Sequence, residues 1–348
     1  MGTDAEPATD PPAPRRRPFS GAKGGFIWPL CGLIALLVFN YFTSPSFFSL
    51  EIRDGHLYGS LVDIFNRGSI GIVLAVGMTL VIATGGVDLS VGSVMAISGA
   101  IAALMLGDVG AGPVVAGFCG IVAATFAGLV NGFLVAVVRV QPIVATLVLM
   151  VSGRGIARFI TGERVIALRD DADATAFEAI GTGHVFGLPV PALLAVGLFL
   201  ATLVIVRRTV LGVFVTAVGA NERASRAAGL QGRNVKLAAY AFCGFCAGLA
   251  GLIDVANIRA ADTINSGVFT ELDAIFAVVV GGTVLTGGRF TLLGSFVGAL
   301  LLQTLLTTMY SYGVAADTAP IYKSLVILMV CLLQSREFRD AFRWGRSP

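Results

Sequence analysis

The chain has 348 residues, 56% of them hydrophobic and only 13% charged, with a net charge of +3. Soluble domains carry about a quarter charged residues, so this composition excludes a soluble globular enzyme and predicts an all-α, polytopic membrane protein. The two histidines, His56 and His184, fall in different predicted outer loops, and the five cysteines lie in apolar segments. No metal site, cofactor or nucleic-acid partner is expected from these residues.

Residues 1–25 are polar and rich in Pro, end in Arg15-Arg16-Arg17 and Lys23, and read as a disordered cytoplasmic tail. The membrane domain is expected over 26–335 and a cytoplasmic C-terminal tail over 336–348. The first apolar run, Phe26–Phe42, lacks a small-residue cleavage site and is expected to be a retained span. Further spans are expected at 62–84, 89–106, 113–138, 142–161, 188–206, 236–256, 272–286, 291–310 and 319–334. Together they make about ten, each near the length a bilayer requires. This count puts sixteen Lys and Arg residues on inner segments and four on outer ones, which predicts that both termini are cytoplasmic.

Between the second and third spans lies Gly85-Gly86-Val87-Asp88-Leu89-Ser90-Val91-Gly92. The paired glycines predict one helix ending near Ala83 and another starting near Asp88, with Asp88 as its cap. Two readings stay open: a broken helix lining a transport path, or a tight cytoplasmic turn. Gly281-Gly282-Thr283-Val284-Leu285-Thr286-Gly287-Gly288 echoes this stretch and suggests an internal repeat. Gly85, Gly86, Asp88, Ser90, Gly281 and Gly282 are therefore the candidate path residues.

Gly128/Gly132, Gly244/Gly248 and Gly294/Gly298 have the spacing that lets helices approach closely. Cys243-Gly-Phe-Cys246 has redox-motif spacing inside an apolar helix and reads as packing. The loop near 162–187, with mixed charge, reads as either a solvated loop or a docking surface. Arg67, Arg154, Arg158 and Lys323 fall in or near spans.

None of the three lysines follows a glycine, so the chain lacks a phosphate-cradling Gly-Lys pair. Asn221 to Gly229 has an N-cap in Asn221, an acid in the first turn in Glu222, and a C′ glycine in Gly229. Small residues at Ala224 and Ala228 suit insertion into a groove on another protein, with a plain connecting helix as the alternative.

Thr84–Gly92, Gln141-Pro-Ile-Val-Ala-Thr-Leu147, Asn221–Gly229 and Glu271–Ile275 with Gly281-Gly-Thr283 and Gly287-Gly288 together resemble the ribose/xylose/arabinose-type permeases of bacterial ABC sugar importers. Asp54-Gly-x-Leu57-x-Gly-Ser60, Gly153-Arg-Gly155 and Gly288-Arg-Phe290 look like the galactofuranose branch. The likeness covers nearly all of the chain after residue 26, although Arg289-Phe290-Thr291 stands where many members carry a further Gly. The resemblance implies a non-catalytic inner-membrane subunit with a helix arrangement similar to vitamin B12-type importer permeases. It also implies a second permease copy or paralogue, an ATPase subunit docked at Asn221, Glu222, Ala224, Ala228 and Gly229, and a periplasmic sugar-binding protein. The expected function is monosaccharide import; an ion-coupled secondary transporter or a membrane scaffold are the alternatives from other classes.

Overall fold

A computed structural model describes residues 26–53, 55–169 and 171–334. Both expected tails, and Asp54 of the branch motif, lie outside the described residues. The chain is a helical bundle: α1 (Ile27–Thr43), α2 (Ser60–Ala83), α3 (Val91–Leu104), α4 (Pro113–Phe133), α5 (Pro142–Thr161), α6 (Ala172–Thr182), α7 (Val190–Arg208), α8 (Leu211–Ala220), α9 (Glu222–Ala227), α10 (Gly232–Ile258), α11 (Thr270–Val280), α12 (Leu292–Ser311) and α13 (Ala319–Gln334). Helices α3 and α4 each run on through one wider turn, to Val109 and Val138. Three antiparallel pairs of short strands complete it: β1 (Glu51–Arg53) with β2 (His56–Tyr58), β3 (Ile166–Ala167) with β6 (Ala260–Ala261), and β4 (His184–Val185) with β5 (Leu188–Pro189).

Among the described residues, seven helices are long and apolar enough to cross a membrane: Ser60–Ala83, Val91–Val109, Pro113–Val138, Pro142–Thr161, Val190–Arg208, Gly232–Ile258 and Leu292–Ser311. Their starts follow local signals. Pro113, Pro142 and Pro191 occupy first-turn positions, where a missing N–H costs nothing. Helices α2, α3, α10 and α12 form the buried centre, while α4 and α5 keep exposed apolar faces through Phe118, Phe126, Val148 and Phe159.

Small residues set the spacing of this centre. A Cβ on Gly128 of α4 would lie 3.0 Å from the Cα of Gly244 of α10, so two of the three spaced-glycine motifs meet each other. The third seats α12 on α11, with Gly298 against the carbonyl of Ala277. Cys243 and Cys246 are buried free thiols, and Cys246 packs on Gly77 of α2.

One expectation is corrected and two are extended. The span expected over 272–286 is helical only over Thr270–Val280, because Gly281 and Gly282 end it. The stretch near 162–187 is structured: β3 pairs with β6, and α6 is capped by Asp171, whose Oδ1 accepts the Ala174 N–H at 2.8 Å. The two histidines lie in different loops, as expected, yet the hairpins carrying them dock through Leu57 N–H to the Gly187 carbonyl and bring their ring centroids to 4.3 Å. Among the described residues no group of three or more metal-ligating side chains converges.

Candidate functional site

Helix α2 ends at Ala83 through a hydrogen-bonded glycine stop. Gly86 N–H bonds the Val81 carbonyl and Gly85 N–H the Ile82 carbonyl, with Gly85 at φ 81°. Helix α11 ends in the same pattern: Thr283 N–H to Val278, Gly282 N–H to Val279, and Gly282 at φ 85°. Thr84-Gly85 thus corresponds to Gly281-Gly282, one residue off the pairing that the sequence echo gives.

The two stops are brought to one place by other glycines. Gly288 N–H donates to the carbonyl of Ala83 at 3.0 Å. A Cβ on Gly287 would lie 2.7 Å from the N of Gly85, and one on Gly219 of α8 would collide with the Ala83 oxygen. The end of α2, the loop after α11 and the end of α8 therefore meet backbone to backbone. Gly281 itself faces elsewhere, against Gly294 of α12.

Past Gly86 the linker turns back into the bundle. Tyr240 of α10 is fully buried and donates to the Val87 carbonyl at 3.3 Å. A Cβ on Gly86 would meet that hydroxyl at 2.5 Å, so only glycine fits under the ring. Asp88 is 1% exposed. Its Oδ1 accepts the Ser90 N–H at 2.9 Å, the Ser90 hydroxyl at 2.6 Å and the Asn131 amide at 3.3 Å. Asn131 also donates to the Ser90 hydroxyl at 2.8 Å. Helix α3 starts at Val91, with Ser90 as the flanking residue, so Asp88 is not its cap. It holds a local turn two residues ahead of itself and ties that turn to α4. Asn131 and Tyr240 were not legible as partners, since each sits in an apolar helix far along the chain.

Helix α9 has the ends read from its sequence. Asn221 Oδ1 accepts the Ala224 N–H at 3.0 Å, and Gly229 adopts φ 84°. Glu222 pairs with Lys236 at 2.7 Å and with Arg226 at 3.1 Å. The hydrogen bond from Lys236 is the main reason its carboxyl lies below the ordinary glutamate value. Ala224 and Ala228 are exposed. Between α9 and the turn at Thr84 lies a cavity of about 890 Å³, bordered by Arg139, Arg223, Arg226 and Lys236. This places the glycine junction and α9 at one end of the bundle, the α9 end, with the Asp88 turn buried farther in, against Asn131 and Tyr240.

A bundle of long apolar helices, interrupted inside by a buried carboxylate turn and flanked by a short polar helix, defines a polytopic α-helical membrane protein. A family model described as "Branched-chain amino acid transport system / permease component" matches residues 60–334, and the chain belongs to that family. Among curated relatives, a galactofuranose transporter permease of Escherichia coli strain K12 is 42% identical over 337 residues, covering 93% of this chain and 95% of that one. A fructose import permease of Bifidobacterium longum is 35% identical, covering 90% of this chain and 88% of that one. A ribose import permease of Escherichia coli K12 is 37% identical, covering 88% of this chain and 93% of that one. No solved structure matches the chain.

Proposed function

We propose that this chain is the permease subunit of an ATP-binding-cassette importer, and that it carries a monosaccharide, galactofuranose or a related sugar, inward across the bacterial inner membrane. The observation that carries the reading is the 42% identity to a galactofuranose permease along 95% of that protein. The fructose and ribose permeases among its relatives support a sugar rather than an amino acid as cargo.

In this reading the chain crosses the membrane ten times: through α1 to α5, α7, α10, the segment 262–280 that ends in α11, α12 and α13. Both termini then lie in the cytoplasm, and the α9 end is the cytoplasmic end. The basic residues at that end (Arg139, Arg207, Arg208, Arg223, Arg226, Arg233, Lys236, Arg289) support the orientation. ATP is hydrolysed by a partner subunit, which docks on Asn221, Glu222, Ala224, Ala228 and Gly229. A second permease subunit completes the path, and a periplasmic sugar-binding protein delivers cargo. Gly85, Gly86, Asp88, Ser90 and Gly282 form the moving inner part of the path, where the end of α2 meets the loop after α11, while Gly281, set against α12, stays outside it.

The test is uptake by cells expressing this chain with its partner ATPase and binding protein. Radiolabelled D-galactose, D-ribose, D-fructose and L-leucine are each supplied. Accumulation of one sugar and not of leucine supports the reading; accumulation of leucine alone overturns it.

A further inference from the structure

Halfway along the bundle, the starts of two helices meet. Arg154 is the thirteenth residue of α5, about 18 Å along it at 1.5 Å per residue. Its guanidinium donates to the Ser266 and Gly267 carbonyls at 2.9 and 2.8 Å. The segment carrying those carbonyls follows β6, which pairs with β3 beyond the far end of α5, so the chain descends to mid-depth before α11 begins. Helix α11 is eleven residues long. That is about 16 Å, half of a hydrocarbon core of roughly 30 Å. Its start abuts the start of α3: a Cβ on Gly92 would collide with the Gly267 oxygen, and one on Gly267 with the Gly92 oxygen.

Glu271 sits at this junction and is 4% exposed. Its Oε2 has no hydrogen-bond partner, and a Cβ on Gly92 would lie 2.6 Å from it. The neighbouring carboxylate of the same turn, Asp273, is satisfied by Lys323 at 2.5 Å. A buried carboxylate oxygen left without a hydrogen bond is costly in a protein interior, and it is open to accept one from a ligand. Helix α11 is the half-length helix here, and a half-helix start near the midplane is a recurrent form of transporter binding site. Access is built in beside it. Gly155 is exposed, and a Cβ there would meet nothing within 4 Å. Arg158, one turn on, is exposed too, and an arginine at this depth belongs against a partner subunit or water rather than lipid.

We propose that Glu271 and Arg154, at the joined starts of α3 and α11, are the sugar-contacting pair of the translocation path. The ligand class is a neutral monosaccharide with adjacent hydroxyls. The carboxylate accepts from one hydroxyl, and the guanidinium, with donors beyond the two it spends on carbonyls, donates to the next. The site is sealed by Gly92 and Gly267 in this conformation and opens when the 262–269 segment moves. This inference rests on the monosaccharide-import reading above.

The experiment uses the full complex of permease, ATPase and binding protein in liposomes, with D-galactose, D-ribose and D-fructose as probes and L-leucine as control. Sugar moved per ATP hydrolysed is measured for wild type, Glu271→Ala, Glu271→Gln and Arg154→Lys. In parallel, N-ethylmaleimide labelling of Gly155→Cys, in a background with the native cysteines replaced, is timed with and without the transported sugar. Expected is at least a tenfold loss of sugar per ATP in Glu271→Ala and a smaller loss in Glu271→Gln and Arg154→Lys. Sugar is also expected to slow the labelling at position 155, and Glu271→Ala to abolish that protection. Wild-type ratios in Glu271→Ala with unchanged protection overturn the inference and leave the import reading standing. Failure of both Glu271 variants to assemble makes the carboxylate a packing element and also overturns it. A wild-type complex that moves leucine and no sugar overturns the import reading, and the inference with it.

Discussion

The carbonyl of Ala83, the last residue of α2, accepts the backbone N–H of Gly288 at 3.0 Å, and Gly219 of α8 lies so close that a Cβ there would collide with the same oxygen. Backbone therefore meets backbone where the proposed path reaches the α9 end. Gly219→Ala forces these three segments apart. Overpacking of this kind costs about 1–3 kcal/mol. The expected outcome is a lower melting temperature of the detergent-solubilised protein together with loss of uptake. A control at Gly155 of α5, where a Cβ meets nothing, is Gly155→Ala, which holds the melting temperature at or slightly above wild type.

Asp88 accepts three hydrogen bonds from Ser90 and Asn131 while buried. Asp88→Ala leaves those donors unmatched, at a cost of roughly 1–3 kcal/mol, which is too little to unfold a bundle of this size. Uptake is expected to fall steeply while membrane accumulation stays near wild type, and Asp88→Asn to retain part of the activity. Immunoblot of the membrane fraction beside uptake checks both. Normal uptake by Asp88→Ala would remove the residue from the path.

Ala224 and Ala228 face outward from α9. Ala224→Trp and Ala228→Trp are expected to weaken ATPase docking and to reduce sugar-stimulated ATP turnover and uptake together. Sugar binding to the isolated periplasmic protein stays unchanged. Pull-down of the ATPase subunit with each variant measures the first step. Wild-type assembly and transport in both variants would make α9 a plain connector.

Glu222 is held below the ordinary glutamate value first by the hydrogen bond from Lys236, then by its charge and by Arg226. A carboxylate whose folded value is depressed stabilises the fold above its unfolded value, and that contribution is lost as pH falls through the folded value. The melting temperature of wild type should thus exceed that of Glu222→Gln at pH 7, by a small margin because the pair is partly exposed. The gap should close as pH falls below 4.5, the ordinary value. A gap that widens on acidification would contradict the pairing.

The sequence shows most clearly those features that local chemistry dictates. The end of α2 at Ala83 and both ends of α9 follow from Gly85, Asn221 and Gly229, whose conformational preferences act within one turn. Features that depend on distant partners were not legible. Asp88 reads as a helix cap in the sequence because Asn131 and Tyr240, which hold its linker, lie in other helices. The glycine echo points to one junction, but the pairing it gives is one residue off, and Gly287, not Gly281, touches Gly85. His56 and His184 meet only because two hairpins dock. Arg154 and Glu271 stand in the sequence within the motifs Gly153-Arg-Gly155 and Glu271–Ile275, near span ends and with no contact assigned. Their meaning appears when the short α11 and the start of α3 are brought to the same depth.

In the proposed function, ATP hydrolysed by a partner drives sugar through this chain. The most direct measurement is uptake of the transported sugar into liposomes that carry the full complex, with the binding protein outside and ATP inside. Proton and sodium gradients are collapsed by ionophores. Uptake is expected to require both ATP and the binding protein and to be untouched by the ionophores. Uptake by the permease alone, driven by an ion gradient and indifferent to ATP, would contradict the proposal.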